Sequence, residues 1–267
     1  MADTLKGQVT RSAADIYEEF FLPALFLEWA PRLADAARLA PGQRVLDVAC
    51  GTGVLAREAA KRVAPGGSVA GLDRNEGMLA VAKRKAPAIE WKAGRAEALP
   101  FPDASFDAVV SQFGLMFFDD RATALREMWR VLRPGGRLAV AVWDALEASP
   151  GYSAMAALLQ RLFGPRIAGE LHAPFALGDR KALHALFVQA GIAKVEIATD
   201  VGKARFPSIE SWVRTDVKGW TLADLIDDGQ YELLLREAAA ELRRYATATG
   251  EVAFDAPAHV ATARKAS

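Results

Sequence analysis

From Arg44 to Val142 the chain alternates short apolar runs rich in Val, Ile and Ala with longer segments in which Ala and Leu recur among Arg, Lys and Glu. Short β-branched runs bounded by turn residues read as buried strands, and the longer mixed segments as helices. The pattern predicts strands at Arg44–Ala49, Ser68–Asp73, Ile89–Ala93, Phe106–Ser111 and Gly136–Trp143, with helices near Gly53–Val63, Glu76–Lys85 and Arg121–Val131. Strands alternating with helices imply a mainly parallel sheet covered on both faces. Pro41-Gly42, Pro65-Gly66-Gly67 and Pro134-Gly135-Gly136 supply turns before the first, second and fifth strands.

The flanks follow a looser rhythm. Ala14–Leu39 reads as one or two helices, interrupted at Pro23 and Pro31, that cover the start of the sheet. Tyr152–Phe163 and Arg180–Ala190 read as helices, the second closed by Gly191, and Ala193–Thr199 as a sixth strand. Ile209–Arg244 is a long helical stretch holding Trp212 and Trp220, and Ala258–Ala263 a last strand. The expected organisation is an N-terminal helical cover over 1–40, a core over 41–204 and 251–267, and a helical insertion over 205–250.

Composition narrows the function. The 33 Lys and Arg match the 33 Asp and Glu, so no overall field draws in nucleic acid or an anionic membrane surface. A single cysteine, Cys50, excludes an intrachain disulfide framework and any Cys-rich metal site, and fits a reducing compartment. No apolar stretch approaches the roughly 18 residues of a membrane span, and residues 1–10 lack the basic-then-apolar pattern of a signal peptide. The expectation is a cytoplasmic protein with no nucleic-acid partner and no membrane insertion.

The candidate chemistry lies in "VLDVACGTGV", residues 45–54. In a parallel sheet, ligands bind beyond the carboxyl ends of the strands, where a glycine turn admits them to the backbone and a following helix offers free N–H groups. Gly51, Gly53 and Ala56 satisfy the dinucleotide spacing G-x-G-x-x-G/A, and Asp73 stands 20 residues beyond Gly53, where an acid accepts hydrogen bonds from ribose hydroxyls. Either a dinucleotide or another adenosine-bearing ligand fits these residues.

The remaining segments separate the two. "VLDVACGTG", "VAGLDRNEGML", "GRAEALPFPDASFDAVVSQFGLMFF" and "LREMWRVLRPGGRLAVAVW" together resemble the class I S-adenosylmethionine-dependent methyltransferases, in the methyltransferase 11 type that includes the ubiquinone and menaquinone methyltransferases. The resemblance covers most of residues 44–143. It implies a Rossmann-like α/β fold with a seven-stranded mainly parallel sheet, helices on both faces, N-terminal helices and a helical insertion before the last strand. It also implies S-adenosyl-L-methionine as cofactor and an enzyme acting on a small acceptor.

For single residues the resemblance implies a turn, Ala49, Gly51, Thr52 and Gly53, against the methionine portion and ribose. Asp47 faces the cofactor's ammonium, with a turn cap as the alternative. Asp73 holds the ribose diol, with a helix cap as the alternative. Arg74 and Met78 lie at the adenine, although Met78 suits core packing equally well. Where many relatives read Gly-Asp-Ala this chain reads Gly94-Arg95-Ala96-Glu97, so backbone amides at Arg95 and Ala96 take over the adenine, with Arg95 stacked on its face. Gln112 and Phe113 line the sulfonium, Met116 and Phe117 the acceptor, and Tyr17 touches the methionine end or the acceptor.

Methyl transfer asks mainly for alignment and exclusion of water. No metal site is expected, because the acids of the catechol-type magnesium site are missing. Of the three histidines, His172 is the candidate base, in a loop placed to face the pocket. Trp212 and Trp220 form an apolar lid over a hydrophobic or aromatic acceptor methylated on oxygen, carbon or nitrogen, or else belong to the core. The competing readings are an NAD(P)-dependent oxidoreductase and a non-catalytic cofactor-binding module.

Overall fold

The computed structural model describes residues 11–218, 222 and 225–266. A seven-stranded sheet in the order β3-β2-β1-β4-β5-β7-β6 organises them. The strands are β1 Arg44–Val48, β2 Ser68–Asp73, β3 Glu90–Ala93, β4 Phe106–Gln112, β5 Leu132–Trp143, β6 Val195–Phe206 and β7 Val252–Arg264. β1 to β5 pair in parallel, and β7 runs antiparallel between β5 and β6. The fold class expected from the sequence is the one observed.

Hydrophobic continuity explains the centre of the sheet. Val45, Leu46 and Val48 of β1, Ala108, Val109 and Val110 of β4, and Leu138 to Val142 of β5 are all shielded from solvent. Strands buried on both faces need this unbroken apolar character. Connections leave β1 and β4 in opposite directions along the sheet, which opens a crevice beyond Val48 and Gln112.

Helices cover the sheet: α1 Arg11–Ile16, a π-helix Tyr17–Phe26, α2 Trp29–Ala36, α3 Val54–Val63, α4 Glu76–Lys85, α5 Arg121–Val131, α6 Pro150–Phe163, α7 Pro165–His172, α8 Arg180–Gln189, α9 Ile209–Lys218 and α10 Asp228–Glu241. Among the described residues no helix is long and apolar enough to cross a membrane.

Three expectations change. Pro31 lies in the first turn of α2, and Pro23 does not interrupt its helix either. It lies inside a turn widened to i→i+5, as in Leu27 N–H donating to Leu22 O at 2.8 Å, and the wider turn relieves the collision that a proline ring makes with the preceding α-helical turn. The 209–244 stretch is not one helix, because α10 starts afresh at a reciprocal cap between Asp227 and Gln230. The last two strands are far longer than expected. β6 continues beyond a polar run into Gly202, Ala204 and Phe206, buried in alternation with exposed Lys203 and Arg205. β7 begins at Val252, six residues before the expected start at Ala258, and runs through Pro257.

Candidate functional site

Beyond β1 the backbone enters the left-handed region repeatedly, at Ala49 (φ 58°), Gly51 (φ 54°) and Gly53 (φ 88°). The two glycines have different reasons for being bare. Gly51 faces open space, whereas a Cβ on Gly53 would fall 2.4 Å from Cη2 of Trp91. The Trp91 ring crosses from β3 over Gly71 of β2, where a Cβ would meet Cζ3 at 2.3 Å, and its indole N–H is fixed by Ala86 O at 2.9 Å. The sequence expectation for Gly53 is close approach by a ligand; the structure adds a second reason for its missing side chain, the Trp91 ring.

Asp73, at the end of β2, holds the turn in place. Its Oδ2 accepts from Gly51 N–H at 2.8 Å and its Oδ1 from Asn75 N–H at 2.8 Å. Asn75, not Asp73, caps α4, accepting from Gly77 and Met78 N–H. Asp47 lies across the turn, 1% exposed, and among the described residues neither of its oxygens has a hydrogen-bond partner of normal geometry.

Burial pushes the Asp47 carboxyl well above its ordinary value; the Ala56 N–H opposes this and the Asp73 charge reinforces it. Burial also raises Asp73, against the Asn75 and Gly51 N–H groups. The Tyr17 phenol is raised by burial and then by Asp73, Glu18 and Asp47. Acids with this much burial and this few donors form a pocket that favours a cation or a donor-rich ligand.

The same burial gives a prediction. A carboxyl raised in the folded state holds its proton more tightly there than in the unfolded chain, so its contribution to stability falls as pH rises above the unfolded value of about 3.9. The ligand-free protein should lose thermal stability between about pH 5 and about pH 8, and Asp47→Asn, with no charge to bury, should lose less. Melting temperatures of both proteins at both pH values decide it. Parallel losses would remove Asp47 as the source.

Tyr17 approaches the acids from the π-helix, its ring 5.3 Å from Phe26 and 5.9 Å from Phe21. Next to it, Glu18 pairs with Arg57 at 3.0 Å, and Arg57 also donates to Thr52 O at 2.8 Å, tying the π-helix to the start of α3. Thr52 Oγ1 is buried and without a partner among the described residues.

At the end of β4, Gln112 Nε2 donates to Phe26 O at 3.0 Å while its Oε1 is unpartnered among the described residues. Phe113 (φ 55°) stacks on Trp143 with centroids 3.9 Å apart. Met116 is buried and Phe117 half-buried in the following turn. Beyond β3, Ala96 is buried, and Arg95 ion-pairs with Asp119 at 2.7 Å and Glu97 at 3.5 Å. Asp119 also lies 3.6 Å from Arg74. Met78 packs with Ala14, Val81 and Tyr17. The residues expected at the cofactor thus converge on the ends of β1 to β4, with Arg95 engaged by acids.

The residues expected at the acceptor do not all converge. Phe21, Leu25, Phe26 and Trp143 form one side of a narrow cavity of about 30 Å³, closed by Tyr152, Glu170, Leu171, Pro174, Phe175, Asp216 and Leu222. His172 is exposed at the end of α7 and does not line this cavity, although its neighbours do. Trp212 is fully buried against Phe254, Phe206 and Tyr152 at 4.7, 5.7 and 6.0 Å, so it is core and not lid. Trp220 lies outside the described residues. Sequence reasoning missed Tyr152 and Asp216. The available signal was a lone acid one turn beyond Trp212, on the buried face of α9.

Comparison with known proteins adds an independent line. Residues 46–140 match the profile of the Methyltransf_11 family, described as a methyltransferase domain. A demethylmenaquinone methyltransferase of Renibacterium salmoninarum is 50% identical over 113 residues, 42% of this chain and 46% of that protein. One of Thermus thermophilus is 43% identical over 145 residues, 53% of this chain and 63% of that protein. The chain spans about half the length of the curated relatives it matches. Among solved structures, the YcgJ protein of Bacillus subtilis shares the fold at TM-score 0.62 and 23% identity, over 90% of this chain and 99% of that one. A phosphoethanolamine N-methyltransferase of Haemonchus contortus, solved with S-adenosylhomocysteine, does so at TM-score 0.61 and 18% identity, over 97% and 58%.

Proposed function

We propose, from the premise that residues 46–140 form a methyltransferase domain of class I, that this chain transfers the methyl group of S-adenosylmethionine to a small hydrophobic acceptor. The observation that carries the reading is the buried carboxyl of Asp47, short of hydrogen-bond donors, close to Asp73 at the β1–α3 turn. An ammonium group answers the first acid and a ribose diol the second, because carboxylates accept hydrogen bonds and both ligand groups donate them.

When bound, S-adenosylmethionine supplies a methyl group made electrophilic by a positively charged sulfur. Asp47 takes the amino group, Asp73 takes the ribose hydroxyls with its remaining acceptor capacity, and Gln112, Phe113 and Tyr17 flank the sulfonium. The Phe113 and Trp143 stack, joined by Phe26 at 5.5 and 5.9 Å, keeps water from the line of transfer. An apolar cavity against Phe26 and Trp143 suits a hydrophobic acceptor, in keeping with relatives named for demethylmenaquinone.

The site opposes a nicotinamide dinucleotide. A pyrophosphate at this turn would meet two carboxylates, and the indole of Trp91 covers Gly53. Calorimetric titration with S-adenosylhomocysteine and, in parallel, with NADH tests the reading. Micromolar binding of the first and none of the second is expected. The reverse would overturn the methyl-donor assignment.

A further inference from the structure

The aromatic cavity contains a polar group that packing does not explain. Asp216 is 4% exposed on α9, and its Oδ2 has no hydrogen-bond partner among the described residues. Its Oδ1 receives a long hydrogen bond, 3.5 Å, from the Tyr152 hydroxyl of α6, and the indole of Trp212, one turn earlier on α9, also approaches the carboxyl. An unpaired carboxylate oxygen inside an apolar wall is costly unless a ligand brings a donor to it.

The surroundings describe that ligand. Phe26, Trp143, Tyr152 and Phe175 present aromatic surface to the cavity, which suits a flat ring. Phe26 and Phe21 are also the rings on which Tyr17 packs, so the cavity shares a wall with the pocket of Asp47 and Asp73. Among the described residues lining it, the titratable ones besides Asp216 are Tyr152 and, from α7, Glu170. No cation among them neutralises Asp216.

We propose that Asp216 recognises an aromatic acceptor by its hydroxyl group and receives that group's proton during methyl transfer. This rests on the methyl-donor reading above for the transfer step. The hydroxyl donates to Oδ2, and its proton passes there as the oxygen's electron pair forms the bond to the methyl carbon. The carbon–sulfur bond breaks with its pair staying on sulfur, which becomes a neutral thioether. Protonated Asp216 returns the proton to water when the product leaves.

Burial pushes the Asp216 carboxyl up to about 8, opposed by the Trp212 indole and the Tyr152 hydroxyl. Such a carboxylate is matched to a phenol, whose ordinary value is about 10, and not to an aliphatic alcohol.

Binding of probes to the donor-free protein tests the recognition without relying on the methyl donor. 2-Naphthol and 2-methoxynaphthalene are titrated at about pH 9, following tryptophan fluorescence. The parent should prefer 2-naphthol by at least about tenfold. Asp216→Leu should lose that preference while still binding 2-methoxynaphthalene, which shows the cavity intact. Equal affinities in the parent, or a preference that survives in Asp216→Leu, would overturn the proposal. With the donor present, methylation of 2-naphthol should rise through about pH 8 in the parent. A pH profile unchanged in Asp216→Asn would overturn the proton-accepting role. Separate titration with S-adenosylhomocysteine reports whether the donor reading itself has failed.

Discussion

Asp73→Ala should weaken S-adenosylhomocysteine binding by roughly 100-fold or more, a loss of about 3 kcal/mol. The carboxylate has two tasks at once. It would hold the ribose, and it already fixes the turn by accepting Gly51 N–H and Asn75 N–H at 2.8 Å each. Alanine removes the ligand's acceptor and leaves both backbone donors unpaired, so the turn loosens where Gly51 must stay open. Asp73→Asn should recover part of the loss, because one amide oxygen can still accept from Gly51 while the amide nitrogen opposes another donor. Calorimetric affinities, with circular dichroism to confirm the fold, measure this. A change of less than about threefold for alanine would place the ribose elsewhere.

Gly53→Val should destabilise the protein by roughly 3 to 5 kcal/mol, for reasons independent of any ligand. Valine would have to hold φ at 88°, and its Cβ would begin 2.4 Å from the Trp91 ring. The two costs are separable. In a Trp91→Ala background the collision is gone and only the backbone strain remains, so the same substitution should cost about 2 kcal/mol less. Urea unfolding of the four proteins in the cycle measures the coupling. Equal costs in both backgrounds would show that Trp91 is not what keeps position 53 bare.

The parallel half of the fold was legible because its strands are buried on both sides. Runs such as Val45–Val48 and Val109–Ser111 carry their own signal, and Gly and Pro mark their ends. The antiparallel end was less legible. β6 is an edge strand whose outer residues face water, so Glu196, Thr199 and Asp200 hide its period, while β7 passes through a proline.

Within the site, motif spacing singled out Asp47, Gly51 and Asp73, which the fold brings to one turn, Asp73 accepting from Gly51 N–H. It gave no sign of the second reason position 53 must stay bare, because the neighbour that needs the space, Trp91, comes from another strand. For the acceptor it named Tyr17, Met116, Phe117, His172, Trp212 and Trp220, the histidine from its expected loop and the tryptophans from an expected insertion. Burial changes this: His172 is exposed, Trp212 is core, and the buried acid at the cavity is Asp216, announced only by its place one turn beyond Trp212.

A crystal structure of the protein with S-adenosylhomocysteine should show the ribose hydroxyls on Asp73, the amino group directed at Asp47, and the sulfur beside Gln112 and Phe113. A ligand lying elsewhere, with Asp47 still short of donors, would contradict the methyl-donor reading.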